Sequence, residues 1–130
     1  MEIPVSLAGG RTIEAVVGNH RVKTDQPEKS GGKGTAPSPS DLFLASIATC
    51  AAYYVLDFCL ERKIPIGGIS VLMRTRINEG SKLMDRIELE IRIPPEFPEK
   101  YEKAVVRAAN LCWVKKHLET GPVFETYTVR

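Results

Sequence analysis

Three cysteines, Cys50, Cys59 and Cys112, carry most of the chemistry open to this 130-residue chain. The thiolate, not the thiol, is the nucleophile, so the neighbours of each cysteine decide what it can do. Cys50 sits inside Leu42–Leu56, a run of 15 residues without a charge. At about 100° per residue on a helix, Ser46 and Tyr54 are its neighbours at helical spacing and Asp57 lies within roughly 20° of its line. Hydroxyls and a carboxylate beside a thiol describe a partly polar site on an otherwise apolar element. Cys59, nine residues further, falls about 180° around the same helix and reads as a small core hydrophobe. Cys112 stands at or near the start of a short helical segment, where free N–H groups and the helix dipole favour a thiolate. Lys115 and Lys116 would add to that effect. By itself, Cys112 fits a reactive thiol and a residue packed at a helix junction equally well.

Other chemistries find less support. The two histidines, His20 and His117, lack zinc-type spacing, so no metal site is expected. Gly31-Gly32-Lys33-Gly34 fits neither a phosphate loop nor a dinucleotide fingerprint, and no cofactor is expected. A net charge of +2 from 18 basic and 16 acidic residues leaves no nucleic-acid footprint. The N-terminus lacks a signal-peptide pattern, and the uncharged run is shorter than the ~20 residues of a membrane span. Three widely spaced cysteines do not form a secreted disulfide framework. A cytoplasmic protein with free or redox-active thiols, bound to neither membrane nor nucleic acid, is the expectation.

The elements that must position these thiols follow from periodicity. Ile3, Val5 and Leu7, then Ile13, Ala15 and Val17, alternate as strands around Gly9-Gly10. Gly18-Asn19 turns the chain into a short strand at Val22, completing a β-meander. Residues 25–37 form a polar loop rich in Gly and Pro. Ser38 and Asp41 make a variant capping box with Pro39 at the first helical position, opening a helix over 37–62. Its long uncharged run demands cover on most faces. A strand from Ile69 to Ile77 and a return strand through Ile93 form a hairpin with one solvated face. Amphipathic spacing from Tyr101 to Leu111 predicts a second helix and 113–118 a third. Val123 to Val129 alternate as a final strand. The order βββ-α-ββ-α(α)-β is α+β in one domain, 1–130.

Gly-Gly-Lys-Gly-Thr-Ala-Pro-Ser-Pro-Ser-Asp-Leu before the helix, Cys50 twelve residues past Ser38, and Cys112-Trp113-Val114-Lys115-Lys116-His117-Leu118 together resemble the OsmC/Ohr family. Gly34, Thr35, Pro37, Pro39 and Leu42 match its pattern before the first cysteine. Trp113-Val114-Lys115 stand where the family commonly has Pro-Val-Ser. The resemblance implies an intertwined homodimer with antiparallel sheets around long central helices and active sites at the interface. It implies thiol-dependent reduction of organic hydroperoxides, with Cys50 peroxidatic and Cys112 resolving. Regeneration would come from a dithiol, a lipoyl group or a thioredoxin-type partner. The family's supporting Arg and acid would fall to Arg21 and Asp41. The alternative on this scaffold is a redox sensor or small-ligand binding protein without sustained turnover.

Overall fold

The computed structural model describes all residues from Met1 to Arg130. The chain divides into two compact units, Met1–Ala45 and Ser46–Arg130.

The first unit is an antiparallel meander of β1 (Val5–Gly9), β2 (Thr12–Val17) and β3 (His20–Thr24). Register places Val5 and Val22 on either side of Ala15, with Leu7 opposite Ile13, so apolar residues share one face. Glu14 is opposite Lys23 on the other. The two-residue turn Gly18-Asn19 uses the positive φ of Gly18, which matches the twist of the strands it joins. The apolar face is thinly covered: every residue of β1 is exposed, Leu7 at 85%.

The loop after β3 is ordered by a carboxylate. Asp25, the one buried charged residue of the chain, accepts from the Thr35 N–H (3.0 Å), the Thr35 hydroxyl (2.8 Å), the Gln26 N–H (2.8 Å) and the Lys33 N–H (3.2 Å). Gly32 fits beside it because it lacks a side chain: a Cβ there would stand 1.8 Å from the Gln26 carbonyl oxygen. The loop delivers the chain to α1 (Pro39–Glu61). The Ser38 N–H and hydroxyl donate to Asp41 Oδ2 at 2.9 and 2.7 Å, and the Asp41 N–H donates back to Ser38 Oγ at 3.2 Å. This is the expected capping box with Asp in the usual Glu/Gln place.

The second unit holds the core. α1 buries a single stripe, Ile47, Ala51, Val55 and Phe58 with Cys59. Val55, Phe58 and Cys59 pack with Ile64, Phe97, Val105 and Ala109. Burying a Val or Phe side chain contributes roughly 1.5–3 kcal/mol, so this stripe holds the helix to its unit. A Schellman motif ends the helix: Ile64 N–H reaches the Cys59 carbonyl (2.9 Å) and Lys63 N–H the Leu60 carbonyl (3.1 Å). Lys63 occupies the left-handed position at φ 54°. β4 (Ser70–Ile77) and β5 (Met84–Arg92) then form the hairpin, turning where Asn78 Oδ1 accepts from Gly80 and Ser81 N–H. Ion pairs such as Arg74–Glu90 and Arg76–Asp85 line its solvated face. A 3₁₀ turn at Glu99–Tyr101 leads into α2 (Glu102–Ala109), and α3 (Trp113–Thr120) follows.

Within the single chain the uncharged run lacks cover on most faces: Tyr53 is 59% exposed, as is Leu60 beyond the run, and 28% of the most apolar window of α1 is buried. At 23 residues the whole helix also meets the length and composition of a bilayer span, which the uncharged run alone does not. The final strand is absent. Residues 121–130 carry no regular structure, and Val123, Tyr127 and Val129 are all more than 80% exposed. An alternating segment becomes a strand only when an edge receives it, and none of β1–β5 pairs with this one.

The Asp25 clamp holds that carboxyl at about 2 instead of 3.8, chiefly through the Thr35 N–H and hydroxyl and then Gln26 N–H, against the opposing effect of burial. Its contribution to loop order is complete above the ordinary value and fades as pH falls toward the depressed one. The Thr35 amide proton, followed by NMR, should therefore titrate with a midpoint at about 2. In Asp25→Asn this titration should vanish.

Candidate thiol site

Both cysteines singled out as reactive lie in the second unit, one on each of two elements. α1 carries Cys50, half-buried, one residue ahead of the fully buried Ala51. The other comes from the break between α2 and α3. α2 ends at Ala109, and Leu111 N–H bonds back to the Ala108 carbonyl and Cys112 N–H to that of Ala109. The backbone at Cys112 then turns out of helical geometry (φ −44°, ψ 118°), making it the N-cap of α3. Its Sγ accepts from the Lys115 N–H at 3.4 Å, the place a serine or aspartate oxygen usually fills. The ammonium of Lys115 reaches back to Asn110 Oδ1 at 2.7 Å and braces the junction. Trp113 and His117 stack with ring centroids 3.8 Å apart, and His117 Nδ1 donates to the Trp113 carbonyl at 2.8 Å.

The thiols of Cys50 and Cys112 influence each other's ionisation, and all three cysteines are free. Their thiols are pushed in opposite directions. Burial acts to raise Cys50, but the N–H of Val114, the Cys112 thiol and the N–H of Trp113 outweigh it and hold Cys50 below the ordinary 9.0. Burial pushes Cys112 up, the Lys115 N–H opposes this, and the charge on Cys50 adds to the rise. Of the two, Cys50 is thus the thiol that gives up its proton more readily. Sequence reasoning placed the helix-start effect on Cys112. The Lys115 and Val114 amides do act on Cys112 in that sense, but burial outweighs them, while the Val114 and Trp113 amides also lower Cys50, where they prevail over burial. These donors are backbone groups, and no residue type at 113 or 114 could have revealed them.

The remaining expectations divide. Cys59 is plain core, its thiol raised by burial. Ser46 and Tyr54, at helical spacing from Cys50, are half-buried, while Asp57 is exposed. Arg21 forms an ion pair across the first sheet with Glu14, a partner that sequence reasoning did not name. Opposite-sign residues one strand apart on the polar face were the available signal. Asp41 is engaged by its cap, which lowers its carboxyl through the Ser38 hydroxyl and then the Ser38 N–H. No group of three or more His, Cys, Asp or Glu is placed to hold a metal ion.

A thiol whose ionisation is favoured, beside a second thiol, can attack an electrophile as thiolate and then be resolved as a disulfide. Comparison with known proteins bears on the scaffold. The family described as OsmC-like protein matches residues 32–127, which takes in α1, the hairpin and both cysteines. No curated protein sequence matches. Among solved structures, a protein from Psychrobacter arcticus described by osmotic stress induction and detoxification response is 25% identical (TM-score 0.72; 88% of this chain and 85% of that one). An OsmC-like protein from Mycoplasma pneumoniae is 13% identical (TM-score 0.71; 92% and 87%). The organic hydroperoxide resistance protein OhrB of Bacillus subtilis is 20% identical (TM-score 0.55; 93% of each). With the family match spanning well over half of its length, this chain belongs to the OsmC-like protein family.

Proposed function

We propose that this protein reduces organic hydroperoxides, with Cys50 as the peroxidatic thiolate and Cys112 as the resolving thiol. The observation that carries this reading is the placement of Cys112, fully buried, as the N-cap of α3, with the first amides of that helix lowering Cys50 while burial raises Cys112. Names of relatives such as the Bacillus subtilis protein support the choice of substrate class. In the reaction, the Cys50 thiolate bonds to the distal peroxide oxygen, the O–O bond breaks, and the leaving alkoxide takes a proton to depart as alcohol. Cys50 is left as a sulfenic acid. The sulfur of Cys112 then bonds to it, hydroxide leaves as water, and the disulfide forms. A dithiol of lipoyl or thioredoxin type supplies two electrons and two protons to restore the pair. The thiolate rests on groups of the second unit alone: the Val114 and Trp113 amides and the Cys112 thiol.

We further propose that the partner is a second copy of this chain. The exposed side of α1, with Tyr53, Leu56 and Leu60, and the unpaired alternating segment 123–129 present apolar surface that a single chain leaves uncovered. Sedimentation should give twice the 14.4 kDa of one chain. Leu60→Glu should shift the species toward the monomer, and a wild-type monomer at micromolar concentration would sink this assignment.

Turnover separates this reading from a redox sensor on the same scaffold. With cumene hydroperoxide and excess dithiol, the wild type should consume peroxide over many cycles, and Cys50→Ser should lose at least roughly a hundredfold in rate, as expected for removal of a nucleophile. A single stoichiometric oxidation without further consumption would favour the sensor.

Alkylation reads the thiolate directly. The rate of Cys50 modification by iodoacetamide should rise with pH to a plateau, with its midpoint below the 9.0 of an ordinary thiol. Removing the S–H donor with Cys112→Ala should move that midpoint upward. A wild-type midpoint at or above the ordinary value would refute the amide-stabilised thiolate.

A further inference from the structure

A resolving thiol works within narrow limits of position. A disulfide needs its sulfurs about 2.05 Å apart and its Cβ atoms roughly 3.5–4.5 Å apart, so a small shift of the Cys112 backbone would take its sulfur out of range. Cys112 stands where α2 has ended and α3 has not begun, at φ −44° and ψ 118°. Its N–H reaches the Ala109 carbonyl (3.3 Å) and its carbonyl accepts the Lys116 N–H (3.1 Å). α3 itself gives little support, since none of Trp113–Thr120 is buried. The Trp113–His117 stack, the bond from the Thr120 hydroxyl to the Lys116 carbonyl and the Lys115–Glu119 ion pair are all internal to that helix. The bond from Lys115 Nζ to Asn110 Oδ1, at 2.7 Å, leaves it and spans Cys112 to reach the residue that caps the end of α2. Lys115 is thereby joined to the junction twice: its N–H meets Cys112 Sγ at 3.4 Å and its ammonium meets Asn110. A charged donor makes the second bond the stronger of the two.

We propose that Asn110 is a positioning residue for the resolving step, its side-chain oxygen holding Lys115 so that the Cys112 sulfur stays within reach of an oxidised Cys50. The inference rests on the peroxidase reading above and assigns to one of its steps a residue outside the thiol pair. Asn110 has no part in the first step, in which Cys50 attacks the peroxide. It acts in the second, where the Cys112 sulfur bonds to the sulfenic sulfur of Cys50, the S–O bond breaks, and the departing hydroxide takes the Cys112 proton to leave as water. That step competes with a second hydroperoxide. The sulfenic sulfur can take the distal oxygen of another peroxide as the O–O bond breaks and alcohol departs, leaving Cys50 as a sulfinic acid that a dithiol does not reduce. The Asn110–Lys115 bond therefore sets how much peroxide the protein withstands before its nucleophile is lost.

The partition between disulfide and sulfinic acid is the test. The reduced full-length protein is mixed with graded cumene hydroperoxide in the absence of reductant, and intact mass separates loss of two hydrogens from gain of two oxygens. The peroxide concentration that converts half of Cys50 to sulfinic acid should be about fivefold lower in Asn110→Ala than in the wild type, the effect of losing one such bond. Lys115→Met keeps the backbone N–H at Cys112 Sγ but loses the ammonium, so its half-point should fall by the same factor. Asn110→Asp keeps the acceptor oxygen and should restore the wild-type value. The rate of peroxide consumption in the first turnover should be unchanged in Asn110→Ala. Wild-type half-points in both Asn110→Ala and Lys115→Met overturn the proposal and leave the peroxidase reading standing. An Asn110→Asp protein as sensitive as Asn110→Ala overturns it too, as does a first turnover slowed by the same factor as the half-point. Failure of the wild type to form the Cys50–Cys112 disulfide with hydroperoxide overturns both readings.

Discussion

The second unit sets two neighbouring thiols apart. The backbone around them favours loss of a proton from Cys50 and its retention on Cys112. The asymmetry comes from burial on one side and helix-start amides on the other. Fully buried, Cys112 strongly disfavours charge. Half-buried, Cys50 receives two backbone donors and one thiol donor, enough to outweigh its own desolvation. The geometry that aims those donors is fixed at the α2–α3 break, where Ala108 and Ala109 carbonyls close the turn and Lys115 clamps Asn110. A site that needs a thiolate is here built chiefly from backbone, which orients without conformational cost at the moment of reaction.

How far the sequence revealed this depends on which groups do the work. The Ser38–Asp41 box, the Gly18-Asn19 turn and the solvated face of the hairpin were legible because side-chain type and local backbone geometry are linked within a few residues. The pairing of Cys50 with Cys112 came from family resemblance, since 62 residues separate them and no local rule spans that distance. The target of the α3 amides was hidden altogether. A helix start is visible in sequence, but the atom it points at is not. The Asp25 clamp escaped for a related reason: its partners are mostly backbone N–H groups eight and ten residues away. The segment 123–129 misled because alternation predicts a surface suited to a sheet and says nothing of whether an edge is available.

The same limit explains the apolar surface left on both units. Patterning alone marks Val5, Leu7, Tyr53, Leu56 and Leu60 as residues to be covered, and each is more than a third exposed in the single chain. The core does not compensate, since α1 buries one stripe and α3 buries nothing. A short chain that places its longest apolar helix half in the open leaves apolar surface that the proposed second copy would cover.

The contrast between the starts of α1 and α3 shows what is gained by capping with sulfur. At α1, Ser38 and Asp41 satisfy each other through oxygen at 2.7–3.2 Å, bonds that no oxidant alters. At α3, the acceptor for Lys115 N–H is a sulfur at 3.4 Å, a longer and weaker bond. A serine at 112 would cap more firmly, but under the proposed reaction it could not resolve a sulfenic acid as a disulfide. A cysteine at this N-cap therefore gives up cap strength for the chemistry proposed for it.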